Sequence, residues 1–174
     1  MTSRDGTAHF RYGRPRSWRL RGRRVSSFLM VDVTVSGIVR APPSEVFAFL
    51  ADLENWPRWQ GDMQTSTLVE GQPGTIGARY RYVSKAMGQT IDSTVRLVRV
   101  DAGREVAFEG EWAGMIRPIG RYLVEPAEDG SRVTLNPHPE VRGIGRILAP
   151  LMALIIRRLN QQHLVALQRE LERT

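Results

Sequence analysis

From residue 62 to about residue 140 the chain alternates β-branched and aromatic stretches with turn residues, and beyond that point its hydrophobic period changes. MQTSTLVEG, ARYRYVSK, GQTIDSTVRLVRVDAG, REVAFEGEW, IGRYLVEP and SRVTLNP read as six strands. GQPG, DAGR and EDGS punctuate them with the Gly, Pro and Asp residues that tight turns require. Consecutive strands at hairpin spacing pair as an antiparallel meander, which has an apolar face to bury and needs a second layer to bury it.

The end of the chain supplies that layer. From Ile144 to Leu171, apolar residues recur at Ile147, Leu148, Leu151, Met152, Ile155, Leu159 and Leu167, with Arg157, Arg158, Arg169 and Glu170 on the other side. Steps of three and four describe one long amphipathic helix. Pro150 either kinks this helix or marks its true start. The run ILAPLMALII has ten residues, about half of a bilayer span, which predicts a buried helix rather than an anchor.

Ahead of the meander, VDVTVSGIVRA (31–41) alternates Val31, Val33 and Val35 with Asp32, Thr34 and Ser36, the pattern of a half-buried seventh strand. APPSEVFAFLADLENW follows as a helix, with Ser44 as its cap and Val46, Phe47, Phe49, Leu50 and Leu53 as its apolar stripe. Pro57 ends or restarts it beside Trp56. With 174 residues, 41% of them hydrophobic, and no internal repeat or linker, the pattern predicts one α+β unit.

Charge is unevenly distributed. Residues 1–24 hold eight arginines and one acid, and the remaining residues hold 17 basic and 17 acidic side chains, so the formal +7 belongs to one segment. The expected organisation is a disordered Arg-rich tail over residues 1–29 and a folded body over residues 30–174. Met30 is an alternative start, favoured by its position just before the first strand. The tail lacks the apolar core of a secretory signal; it could make weak contact with phosphates or an anionic surface. A neutral body argues against nucleic acid as the main partner. No cysteine is present and His9, His138 and His163 are scattered, so neither a disulfide framework nor a metal site is expected, and a cytoplasmic location fits.

The order of strand, short helices, meander and terminal helix resembles the helix-grip fold. VSGIVRAPPSEVFAFLADLENWPRW, the later GSRVTL and the closing LQRELE are similar to the START-like superfamily (SRPBCC), in its polyketide cyclase/dehydrase-like branch, over residues 31–172. The resemblance implies a seven-stranded curved antiparallel sheet wrapped around the C-terminal helix, two short helices after the first strand, and a cavity between sheet and helix. It implies a hydrophobic small-molecule ligand, such as a lipid, an isoprenoid quinone or a polyketide, and no cofactor.

Trp56 and Trp59 then fall at one edge of that cavity, filling the junction or bordering the entrance. Met63, Tyr80, Tyr82, Phe108, Trp112 and Tyr122, with Met87 and Met115, supply more amphipathic and flexible bulk than a filled core requires. On the helix, Leu148, Met152, Ile155 and Leu159 are expected to face the sheet, with His163 one turn beyond. Two further readings stay open. A cyclase or dehydratase would need polar groups inside the cavity, for which Arg117, Glu109, Glu111 and His163 are candidates, and strand alternation can equally point the first three to solvent. An interaction module would use the basic tail. His138, between two prolines, reads as a solvent-facing loop residue.

Overall fold

A computed structural model describes residues 28–86 and 88–173. The 1–27 portion of the Arg-rich segment and Met87 lie outside the described residues. Every strand expected from the sequence is present. They are β2 (Val35–Val39), β3 (Met63–Glu70), β4 (Arg79–Ala86), β5 (Gln89–Asp101), β6 (Glu105–Gly110), β8 (Ile119–Ala127) and β9 (Gly130–Pro137). They form one antiparallel sheet in the order β2-β9-β8-β6-β5-β4-β3. Register shifts within β3 and β5 bend it, as bulges do. The fold is the helix grip: this curved sheet closes on α3 (Ala149–Leu171).

A second, three-stranded sheet was not anticipated. It joins β1 (Phe28–Met30), β10 (Glu140–Arg142) and β7 (Ile116–Arg117). Phe28 and Leu29, assigned to the tail above, pair with Arg142 and Val141, so strand structure begins ahead of the expected boundary. Alternation from Val31 to Ala41 is regular, yet it serves two cores. Val31 and Val33 pack with Val141 and Ala149, while Val35 and Val39 join the main core with Val133, Leu135, Leu164 and Leu167.

The first helical segment is divided. α1 (Pro43–Ala51) starts from Pro42 with no side-chain cap, and Ser44 sits inside its first turn. The Asp52 carboxylate instead accepts from Glu54 N (3.1 Å) and opens a single 3₁₀ turn, Leu53–Asn55. α2 (Trp56–Trp59) follows with Pro57 in its first turn, where a missing N–H costs nothing, so Pro57 restarts the helix. Pro150 plays the same part at the start of α3, and a 3₁₀ turn over Gly143–Arg146 precedes it.

α3 is held close to the sheet at Gly37 of β2. A Cβ there would lie 2.8 Å from Leu164 Cδ2, inside van der Waals contact. Gly37→Ala is therefore expected to cost about 1–3 kcal/mol through overpacking. Equilibrium urea unfolding measures it, and an unchanged midpoint would mean that the helix can ride outward freely.

Candidate functional site

Between the sheet, α2 and the middle of α3 lies a half-open cavity of about 250 Å³. Its deep wall is aromatic. Trp56 packs edge-on against Phe108 (centroids 5.1 Å) and Tyr82 (6.0 Å), and Phe108 tilts against Tyr122 (5.3 Å). Phe108 can lie over β8 because its partner there is Gly120, whose Cβ would sit 2.8 Å from the ring. Half-buried Met63, Ile91, Ile116, Ile119, Ile156 and Leu159 complete an apolar lining.

Polar groups gather on the side where α2 meets α3. Gln60 Nε2 donates to the Tyr122 hydroxyl (3.2 Å). Burial holds the Tyr122 phenol far above its ordinary titration range, against a smaller opposing effect of the Gln60 hydrogen bond, and burial raises Tyr82 as well. Both phenols thus stay protonated at neutral pH and can donate. His163 is buried on α3, with Nε2 2.8 Å from Asp62 Oδ1 but outside hydrogen-bond alignment, so the contact is one of proximity. The Trp56 indole N–H lies toward the Tyr122 hydroxyl without reaching hydrogen-bond geometry, and it has no acceptor among the described residues. Ser84 and Asn160 also line the cavity.

Six of the expected lining residues meet here: Trp56, Met63, Tyr82, Phe108, Tyr122 and Leu159. The other six are elsewhere. Trp59 is buried one turn away, edge-on to Tyr122 (5.5 Å) and His163 (6.0 Å), and seals the junction from behind. Tyr80 shares a strand face with Tyr82 but is fully enclosed in the core, its hydroxyl accepting from Gly74 N (3.3 Å). Trp112 lies past the end of β6, and Arg142 stacks on its ring at 4.5 Å. Met152 packs on the second core, around Val31 and Val141, while Leu148 and Ile155 face outward. The expected helix face is thus rotated from the real one, which carries Ile156, Leu159, Asn160 and His163 into the cavity.

Arg117, Glu109 and Glu111 do not reach this cavity. They line a separate polar groove, in which Arg117 bridges Glu109 (2.7 Å) and Glu140 (3.2 Å). His138 is half-buried, with Nδ1 2.9 Å from Asn136 O. Gln60, Asp62 and Ser84 were missed by sequence reasoning. The first two sit in the aperiodic link after α2, and Ser84 continues the inward-facing alternation of Tyr80 and Tyr82, which was the available signal. Among the described residues no group of His, Cys, Asp and Glu could hold a metal ion.

Solved structures share this architecture. TTHA0849 from Thermus thermophilus superposes with a TM-score of 0.69 at 21% identity, covering 80% of this chain and 96% of that one. The Zhui aromatase/cyclase from Streptomyces sp. R1128 gives 0.66 at 20% identity, covering 84% and 94%. The di-domain aromatase/cyclase StfQ from the steffimycin biosynthetic pathway gives 0.68 at 12% identity, covering 83% of this chain and 51% of that one. At such identities the likeness shows the fold alone. No curated protein sequence matches the chain. The sequence itself matches one family, described as polyketide cyclase / dehydrase and lipid transport, over residues 30–172. The chain therefore belongs to the polyketide cyclase/dehydrase and lipid transport family.

Proposed function

We propose that the protein binds a hydrophobic small molecule with one polar end, of the lipid, isoprenoid quinone or polyketide class, in the cavity between sheet and helix. The observation that carries this reading is a half-open cavity whose apolar lining ends in polar side chains, Gln60, Ser84, Tyr122 and Asn160. Apolar contact would supply affinity at about 25 cal/mol per Å², and the polar side chains would set orientation. Ligand pockets typically measure about 300–1,000 Å³, so at about 250 Å³ the cavity suits a small ligand or one end of a longer one.

Titration with a fluorescent apolar probe, followed by organic extraction and mass spectrometry of the purified chain, tests this. One saturable site is expected, weakened about tenfold or more by Leu159→Trp, whose ring takes up part of the space. Absence of saturable binding, or binding indifferent to Leu159→Trp, would overturn the reading.

A second reading is supported by the Asp62–His163 contact beside Tyr122, a base and a donor at one end of an apolar cavity. That arrangement suits proton transfer in cyclisation or dehydration of a poly-β-keto chain. General acid–base assistance contributes about 10²–10⁴-fold, so His163→Gln should lower turnover of such a substrate by that factor while probe binding persists. An unchanged product profile would remove this reading.

A further inference from the structure

We propose that the first turns of α3 and the segment leading into them dock on an anionic lipid surface. Large apolar side chains stand in water there: Ile147 is 79% exposed, Leu154 65%, Ile144 61% and Leu151 56%. Leu148 and Ile155 are exposed beside them. On α3 itself, Leu151, Leu154, Ile155 and Arg158 follow the three-and-four spacing of a single face. This face points away from the cavity, which Ile156 and Leu159 line from the other side of the same helix. The surface is thus distinct from the ligand site.

Charge selects the occupant. From Val141 to Arg169 the chain holds five arginines, at 142, 146, 157, 158 and 169, and no acid. All five are exposed, and among the described residues none of Arg146, Arg157 and Arg158 has a carboxylate within ion-pair distance. A second copy seated on this face would bring the same arginines together with no carboxylate from this stretch to answer them. Residues 1–24, with eight arginines and one acid, would be repelled in the same way. A bilayer with anionic headgroups satisfies both features: the apolar side chains enter the acyl boundary, and the arginines stay at headgroup level. Among the described residues no helix is long and apolar enough to cross a membrane, so the helix would lie in the interface plane.

Co-sedimentation of the full chain with phosphatidylcholine vesicles, with and without about 30% phosphatidylserine, tests the proposal. Binding is expected to the anionic vesicles and to be at least about tenfold weaker to the neutral ones. Ile147→Ser with Leu151→Ser and Leu154→Ser should reduce it about a hundredfold or more, by removing the inserted area. Arg157→Gln with Arg158→Gln should reduce it about 30-fold. Retained probe binding in the cavity verifies that both variants are folded and separates this test from that of the ligand site. Three results would overturn the proposal. One is no binding to anionic vesicles; another is binding that survives the apolar triple substitution, which would assign the contact to the Arg-rich segment. The third is a dimer, seen by light scattering, that the same triple substitution dissociates.

Discussion

Trp56→Ala is expected to lower the unfolding free energy by about 3–5 kcal/mol, measured by equilibrium urea denaturation. The indole is 4% exposed and meets Phe108 and Tyr82, so one ring ties α2 to β4 and β6. Aromatic edge contacts of this kind contribute about 0.5–1.5 kcal/mol each beyond the buried area. Loss of the ring would also merge its volume with the cavity, so the deep wall would no longer shape a ligand. Trp56→Phe separates the two roles. It keeps most of the apolar bulk and removes an N–H that has no acceptor among the described residues, and its stability cost should stay below about 1.5 kcal/mol. Probe binding in the cavity should persist, because an aromatic ring still closes the deep wall. A Trp56→Ala protein within about 1 kcal/mol of the parent would show that α2 does not depend on this ring.

The sheet was legible because each of its strands is at least five residues long and bounded by turn residues, which gives alternation room to register. β1, β7 and β10 are two or three residues each, too short for any period, and the second sheet they form was invisible for that reason. Aromatic wall residues were legible only in part. Tyr80 and Tyr82 point the same way, but the cavity borders Tyr82 alone, because the core closes over Tyr80. Gln60 and Asp62 acquire meaning only when the segment after α2 is folded against β8 and α3, a long-range juxtaposition that local pattern does not carry. On α3 the difficulty is of another kind. Leu151 to Ile156 is apolar at every position, so hydrophobicity cannot tell which side faces the sheet, and the face chosen from spacing was rotated from the true one.

That ambiguity leads to the second large effect, a contrast between two leucines of one helix. Leu167→Ala is expected to cost about 2–5 kcal/mol, and Leu151→Ala less than about 0.5 kcal/mol. Leu167 is fully enclosed, in the core that holds Val35, Val39, Val133 and Leu135, and truncation there leaves a void against β2 and β9, whose register is already fixed by their pairing. Leu151 is 56% exposed and has little packing to lose. Helix propensity does not confuse the comparison, since alanine is at least as good a helix former as leucine and both positions lie within α3. Parallel urea titrations of the two variants decide it through the difference in midpoint at unchanged slope. Equal losses would mean that the outward face of α3 is covered when the chain is free in solution, which would contradict both the packing described and the availability of that face for a lipid surface.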